Sequence, residues 1–222
     1  MSAPHIILTA GPTIEPIDPV RFLSNRSSGK QGYALAGALA ARGARVTLVS
    51  GPVSLETPPD VTRIDVETAL EMMAAVEAAL PADVFVGVAA VADWRPAERH
   101  AQKLKTDKAG FASLKLAENP DILRTIAHLP PGRRPALVIG FAAETEADPV
   151  ALETLAHQKM RRKNCDMIIA NDVSGGVMGG DHNTALVVSK EGTSKLPHAD
   201  KSVIAAQLAD TVMALLGNHR KV

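Results

Sequence analysis

The stretch GPTIEPIDPVRFLSNRSSGKQG occupies residues 11–32 and directly follows the apolar run HIILTA of residues 5–10. An apolar strand, a glycine and then a helix form the arrangement with which doubly wound α/β folds present backbone N–H groups to phosphate. A helix is predicted for residues 30–41, so the connection is about four times longer than usual. We therefore expect a functional loop, the alternative being a solvated insertion whose Ser and Asn residues serve only as helix caps.

Short apolar segments alternate with amphipathic ones along the rest of the chain. Because 222 residues with 46% hydrophobic content suffice for one large core, we predict a single domain. This alternation is typical of a Rossmann-like α/β fold with a doubly wound, mostly parallel sheet covered on both faces. Strands are predicted for residues 5–10, 44–50, 84–91, 136–142 and 166–170, and further helices for residues 67–80, 121–129, 149–163 and about 201–216.

Two regions interrupt the alternation. Residues 96–118 are polar, lysine-rich and weakly periodic, so we expect a flap. Residues 173–180 are glycine-rich and precede an alternating strand at 185–188, a turn at 190–192 and a short return strand. We expect residues 172–199 to form a protruding β-hairpin arm outside the parallel sheet. Such a hairpin leaves strand edges unpaired, so we also expect it to cross to a second copy in a homodimer.

Charge and cysteine content exclude several classes of protein. Twenty-four basic residues balance twenty-four acidic ones, and the largest basic cluster is the short segment 159–163, so we expect no nucleic-acid partner. The single cysteine, Cys165, cannot form an internal disulfide and lacks an evident base, which favours a buried structural thiol. No apolar run is long enough to span a membrane. We expect a cytoplasmic protein without a membrane partner.

Common nucleotide motifs are absent from the sequence. No GxGxxG follows the first strand, and the second predicted strand ends at Ser50-Gly51 without the acidic residue that would bind a ribose diol. A Walker A motif is excluded because Ser24 stands at its first glycine and Gln31 replaces the Ser or Thr that would bind magnesium. The seven histidines are scattered without metal-ligand spacing.

Small and polar residues instead follow several predicted strands. Ala89 and Ala90 lie at the end of the third predicted strand, and Asp93 follows it. Phe141 lies at the end of the fourth strand, and Asn171 follows the fifth. The carboxyl ends of parallel strands share one edge of the sheet, so these residues and the first loop are expected to form one cleft. Asp93 and Asn171 could bind hydroxyls or base edges, and Phe141 could pack on a flat ring, with core packing as its alternative.

Four lysines add a charge argument. Lys103 and Lys105 lie on the predicted flap, and Lys159 and Lys163 lie four residues apart on one helical face. Together they would supply mobile and fixed cations for a polyphosphate. The alternative is an ordinary solvated helix face.

A set of motifs, in order along nearly the whole chain, resembles phosphopantothenoylcysteine synthetase, usually the carboxyl-terminal half of a bifunctional bacterial coenzyme A biosynthesis protein. The motifs are Gly11-Pro12-Thr13, Asp18-Pro19-Val20-Arg21-Phe22, Ser24-Asn25-Arg26-Ser27-Ser28-Gly29-Lys30, Ala89-Ala90-Val91-Ala92-Asp93, Lys103-Leu104-Lys105, Asn119-Pro120-Asp121, Gly140-Phe141-Ala142-Ala143-Glu144-Thr145 and Ala170-Asn171-Asp172-Val173. The flavin-dependent decarboxylase half is not in the chain, so the resemblance implies no flavin and either a free-standing synthetase or one half of a longer protein.

The resemblance implies a ligase with CTP and Mg²⁺. The carboxylate of 4'-phosphopantothenate would attack the α-phosphate of CTP, and L-cysteine would then displace CMP from the acyl cytidylate. Asn25 and Lys103 are the implied catalytic residues. The family motif on the flap is often KxKK, whereas this chain has Lys103-Leu104-Lys105-Thr106, and Lys108 is a candidate substitute for the third lysine. No metal ligands are assigned, because Mg²⁺ is expected on the triphosphate.

The same resemblance implies binding roles for a larger set. The substrate-binding residues would be Asn25, Ala89, Ala90 and Asp93, with Arg21 reaching the substrate phosphate of the neighbouring subunit. The nucleotide-binding residues would be Gly11, Ser27, Gly29, Gly32, Asp93, Lys103, Asn119, Pro120, Asp121, Ile122, Phe141, Lys159, Lys163 and Asn171.

Three alternatives to a CTP-dependent ligase remain. An ATP-using version of the same ligase is the nearest one. A Rossmann-like oxidoreductase would need a nicotinamide site that the first loop does not support, and a non-catalytic regulatory homologue would be expected to lack Asn25 or Lys103, both of which are present.

Overall fold

Strand β1 (His5–Ala10) lies inside an eight-stranded sheet in the computed structural model, which describes residues 2–104, 114–172, 180 and 182–219. All six of its residues are buried, as expected for a strand covered on both faces. Its parallel neighbours are β4 (Arg45–Ser50), which pairs with β5 (Val61–Asp65), and β6 (Val84–Gly87), which pairs with β9 (Leu137–Glu144).

The sheet continues beyond β9 with a change of direction. Strand β10 (Met167–Asp172) is parallel to β9. Strand β11 (His182–Ser189) is antiparallel to β10, and β12 (Gly192–Asp200) is antiparallel to β11. The strand order is β12-β11-β10-β9-β6-β1-β4-β5. From β1 the chain first builds the sheet toward β5 and then returns to its other side with β6. The switch point of this doubly wound sheet therefore lies between β1 and β6.

In the part of the chain that the structure describes, five helices cover the two faces of the sheet. Helices α1 (Lys30–Ala40) and α5 (Lys201–His219) pack on the side of Ile6 and Leu8. On the side of Ile7 lie α2 (Ala69–Ala79), α3 (Ile122–Ala127) and α4 (Pro149–Lys163). The close approach of α1 to β1 requires a glycine, because a Cβ atom at Gly32 would lie 2.5 Å from the Cβ of Ala10. These packed faces fix the start of α1 against the end of β1.

The long first loop is a folded ribbon. Strands β2 (Ile14–Pro16) and β3 (Phe22–Ser24) pair antiparallel within it. A second ribbon, formed by β7 (Trp94–Pro96) and β8 (Leu116–Glu118), contacts the first and forms the base of the predicted flap. Lys105, Thr106 and Lys108 lie outside the described residues.

Most predicted elements are present, and the main differences concern five elements or ribbons. The strand predicted for 84–91 ends at Gly87, because the backbone of Val88 and Ala90 then bonds to Thr9 and Gly11 instead. The sequence did not predict β5, nor the β2–β3 and β7–β8 ribbons. The return strand β12 is nine residues long rather than short.

The hairpin prediction needs one correction. The pair β11–β12 is antiparallel as expected, but β11 bonds to β10 from Met167 through Ala170, so the hairpin extends the main sheet and does not stand apart from it. Strand β11 has eight residues, and this length suffices for it to pair with β10 as the next strand of the sheet. The glycine-rich part of the arm, residues 173–179, and Asp181 lie outside the described residues.

Candidate functional site

A cavity of about 760 Å³ opens at the carboxyl ends of β1, β6, β9 and β10. This is the switch-point edge, where open α/β sheets bind their ligands. The cavity contains nearly every residue of the two predicted binding sets. Among its lining residues are Gly11, Asn25, Ser27, Gly29, Gly32, Ala89, Ala90, Asp93, Asn119, Pro120, Asp121, Ile122, Phe141, Lys159, Lys163 and Asn171.

The start of α1 faces this cavity with its backbone. Gly29, the N-cap residue, has φ 75°, a left-handed conformation that suits glycine. Within the part of the chain that the structure describes, no side chain caps the helix, and its first turn has no acidic residue. The N-terminus of a helix that lacks both features favours an anionic ligand.

The segment after β6 is bonded to the first loop. The Ala90 carbonyl accepts from the Thr13 N–H at 3.2 Å and from the Asn25 Nδ2 at 3.0 Å, and the Ala90 N–H donates to the Gly11 carbonyl at 2.9 Å. The fully buried Thr13 accepts from the Ala92 N–H with its Oγ1 at 3.0 Å. These bonds fix the exposed Asn25 amide beside Ala89 and Ala90.

Asn119 has a structural task in the same region. Its Nδ2 donates to the Ala92 carbonyl at 2.8 Å, and its Oδ1 accepts from Arg95 at 3.2 Å. Its backbone N–H donates to the Asp93 carbonyl at 2.9 Å. Both ends of the side-chain amide therefore bond to protein groups, so Asn119 contributes to the cavity by holding the Ala92–Asp93 segment in place.

The two lysines of α4 point to the cavity and have acidic partners. Lys163 forms an ion pair with Asp121, and Lys159 lies 3.4 Å from Glu144. Asp121 also caps α3 by accepting from the Arg124 N–H at 3.1 Å. The sequence argument did not foresee the pairing with Glu144, the eighth residue of β9.

The overall charge of the cavity is positive. Five lysines and three carboxylates line it, counting Lys30, Lys159, Lys163, Lys195 and Lys201 against Asp93, Asp121 and Glu146. Lys195, on β12, and Lys201, the first residue of α5, were not among the predicted site residues. They reach the cavity because the hairpin continues the sheet, and the long alternating pattern of β11 was the signal that could have indicated this.

Two predicted site residues, Arg21 and Lys103, do not line the cavity. Arg21 lies on the β2–β3 ribbon, where its Nε and Nη2 donate to the Asp18 carboxylate at 3.0 and 2.5 Å. Lys103 is exposed near the root of the flap. The Arg21 guanidinium holds the pKa of the Asp18 carboxyl well below its usual range, so this pair stays charged at neutral pH.

Cys165 is buried, as its sequence context indicated. The residue is 3% exposed, and its Sγ lies 3.8 Å from the Met160 carbonyl. Burial raises the pKa of the thiol to about 11. The neutral thiol is a poor nucleophile, which agrees with a packing role.

In the described ranges, no three His, Cys, Asp or Glu side chains group as ligands of a metal ion. No helix of those ranges is long and apolar enough to cross a membrane.

The chain is a Rossmann-like α/β protein with a cavity at the switch point of its sheet. The chain belongs to the family described as the DNA/pantothenate metabolism flavoprotein C-terminal domain, whose model matches residues 1–216. It is 47% identical to the coenzyme A biosynthesis bifunctional protein CoaBC of Escherichia coli K12 and 41% identical to that of Mycobacterium bovis. These matches cover 94% and 95% of the chain, but the chain spans only about half of either relative, 51% and 52%.

Solved structures agree with this membership. The crystal structure of the C-terminal domain of a CoaBC protein superposes with a TM-score of 0.79 at 37% identity, over 98% of both chains. A Cab2 variant in complex with phosphopantothenate-cysteine has a TM-score of 0.77 at 18% identity, over 99% of this chain and 89% of the other. The second likeness concerns the fold alone.

Proposed function

We propose that the chain is a phosphopantothenate–cysteine ligase, which joins 4'-phosphopantothenate and L-cysteine at the expense of CTP in coenzyme A biosynthesis. The observation that carries the proposal is the switch-point cavity, in which an uncapped helix N-terminus faces the lysines of α4. Both features suit a polyphosphate. The similarity to CoaBC proteins, one of whose C-terminal domains superposes over 98% of its length, supports the choice of reaction.

In the first step, a carboxylate oxygen of 4'-phosphopantothenate attacks the α-phosphorus of CTP. A new P–O bond forms, the bond to pyrophosphate breaks, and an acyl cytidylate remains. Because two anions must approach each other, the residues have to offset charge rather than supply a nucleophile. Lys159 and Lys163 would do so by exchanging Glu144 and Asp121 for phosphate oxygens, with Lys103 as a third cation.

In the second step, the cysteine amine attacks the acyl carbon and expels CMP. The amine loses a proton in this step, and the peptide-like amide of the product forms. The Asn25 amide is held on the Ala90 carbonyl at the cavity, where it would contact the activated acyl group. Exclusion of water during both steps would protect the mixed anhydride from hydrolysis.

The nucleotide would lie across the strand ends. The phosphates would bind around the start of α1, which is surrounded by Gly11, Ser27, Gly29 and Gly32. The cytosine ring would contact Phe141 and Asn171. Mg²⁺ would enter bound to the triphosphate, as this ion usually keeps phosphates and waters as most of its ligands. When bound, it would further reduce the negative charge at the reacting phosphate.

We also propose that the active form is a homodimer. Four large apolar side chains are exposed on the two ribbons, Val20, Phe22, Trp94 and Leu116, each between 46% and 59%. Arg21 lies between two of them, so a partner packed on this face would receive its guanidinium near the substrate phosphate. The hairpin 172–199 would add its free edge to the contact. A monomeric mass at assay concentration, together with full activity, would contradict this arrangement.

The experiment that tests the function uses the whole chain with phosphopantothenate, cysteine and Mg²⁺. CTP, ATP, GTP and UTP are added one at a time, and pyrophosphate release and product mass are followed. We expect pyrophosphate and phosphopantothenoylcysteine with CTP. Product with ATP alone would identify the ATP-using version, and no product with any nucleotide would contradict a ligase.

A further inference from the structure

The Asp18 carboxylate lies outside the cavity and accepts several hydrogen bonds. Its side chain is fully buried, although it lies in the turn of the β2–β3 ribbon. The Oδ1 atom accepts from the N–H groups of Val20 at 2.8 Å and Arg21 at 2.9 Å. The Oδ2 atom accepts from the Arg21 side chain and from the Leu104 N–H at 3.2 Å. Five donors thus converge on one carboxylate.

The bond to Leu104 joins two segments that are far apart in sequence. The Arg21 Nη2 donates to the Leu104 carbonyl at 3.1 Å, so both backbone polar groups of Leu104 are held by the Asp18–Arg21 pair. The His100 N–H donates to the Ile17 carbonyl at 3.0 Å and ties the same two segments a second time. Lys103 is the residue that precedes this fixed point. Its backbone therefore starts from a position set by the first loop.

We propose that Asp18 is a positioning residue of the ligation, which places Lys103 through the backbone of Leu104 and orients Arg21 at the same time. The inference rests on the proposed function. A single buried carboxylate then couples the cation assigned to the triphosphate with the cation assigned to the substrate phosphate. The Lys103 ammonium would meet the charge that develops at the α-phosphate as pyrophosphate leaves, so it acts in the transition state rather than in the bound ground state. The contacts that hold the nucleotide inside the cavity before reaction do not depend on Asp18, because neither Asp18 nor Leu104 lines that cavity.

The test compares Asp18→Asn with Asp210→Asn in the full chain. Asp210 also forms a two-point pair with an arginine, Arg42, at 2.7 and 2.9 Å, away from the cavity. The Asp210 side chain is 70% exposed, so this pair controls for the loss of the charge and not for the loss of a buried carboxylate. Both variants lose the charge of one Arg–Asp pair. If Asp18 had only a structural role, both variants would have changed melting temperatures, and kcat/KM for phosphopantothenate would stay at the wild-type value in both.

We expect Asp18→Asn to lower kcat/KM for phosphopantothenate by about 10- to 100-fold, the usual loss for a hydrogen bond to a charged group. The Kd of Mg·CTP, measured without phosphopantothenate, should change less than about threefold. Asp210→Asn should match the wild type in both. An Asp18→Asn variant with wild-type kcat/KM, or with CTP binding lost in parallel, would overturn the proposal.

A second variant covers the case in which Asp18→Asn does not fold. Leu104→Pro removes the N–H that Asp18 accepts and leaves the Asp18–Arg21 pair in place, and its ring also restricts the backbone of Lys103. We expect the same loss in kcat/KM with CTP binding retained, and wild-type kinetics would overturn the proposal. Failure of the proposed function itself is distinguishable, because the wild type would then release no pyrophosphate with any nucleotide.

Discussion

Lys163 offers the sharpest test of how the cavity handles charge. The change is Lys163→Gln, which removes the ammonium and leaves the Asp121 carboxylate without its cation beside the phosphate site. A hydrogen bond between charged groups contributes about 1.5–3 kcal/mol, and the Lys163 side chain is 20% exposed, which reduces this value. We expect a loss of about 1–3 kcal/mol, or roughly 5- to 150-fold in the Kd of Mg·CTP.

The matched variant is Asp121→Asn on the Lys163→Gln background. Asn also caps helices well, so the bond from the Arg124 N–H to this side chain should persist. The double variant no longer places a free carboxylate near the triphosphate. It should recover about 1 kcal/mol, or roughly fivefold in Kd.

Isothermal titration calorimetry with Mg·CTP, in the absence of phosphopantothenate, measures all three proteins, and thermal melting checks their folding. A Kd for Lys163→Gln within twofold of wild type would show that Lys163 does not bind the phosphates. A double variant that binds no better than the single one would show that the Asp121 carboxylate does not compete with them.

Three further changes test other parts of the account. Asn25→Asp replaces the donor to the Ala90 carbonyl with an acceptor and would repel the anionic intermediate, so product formation should fall about 100-fold or more while melting changes little; near-normal product would refute the assignment. Lys103→Gln should raise the barrier of the first step by about 2–4 kcal/mol and so slow pyrophosphate release by about 30- to 900-fold, yet still convert a preformed acyl cytidylate; the reverse pattern would assign Lys103 to the second step. The Cys165 thiol keeps its proton to about pH 11 in the fold but ionises near pH 8.5 when unfolded, so its contribution to stability is complete below pH 8.5 and lost as pH rises toward 11. The free energy of unfolding, measured with denaturant at several pH values for the wild type and for Cys165→Ala, should give a difference that declines in this way. A difference that stays constant with pH would contradict this prediction.

The sequence predicted the parallel core well because its strands are continuous apolar runs. Strand β1 and helix α4 have the predicted bounds, and α4 begins at Pro149 after the Asp148 cap, a clear start signal. Strand β5 was missed because its residues, VTRID, are half polar and follow two prolines. An edge strand of this kind has no periodic signal to separate it from a loop.

The convergence of the site was predictable, whereas its internal bonding was not. Strand ends in a parallel sheet meet at one edge, so Phe141 and Asn171 were expected to lie near the first loop, and both line the cavity. The carboxylate partners of the two lysines depend on how α4 packs against the end of β9 and the start of α3, which one sequence does not contain. The contact between Asp18 and Leu104 joins residues 86 positions apart, and no local pattern indicates it.

If a carboxylate oxygen of phosphopantothenate attacks the α-phosphate of CTP, that oxygen atom must end in CMP, and an ¹⁸O label can follow it. Phosphopantothenate labelled with ¹⁸O in its carboxylate is incubated with the protein, CTP, Mg²⁺ and cysteine, and the CMP is analysed by mass spectrometry. The acyl cytidylate route predicts one ¹⁸O atom in the phosphate of CMP for each product formed. Unlabelled CMP, or release of CDP and phosphate instead of CMP and pyrophosphate, would contradict the account.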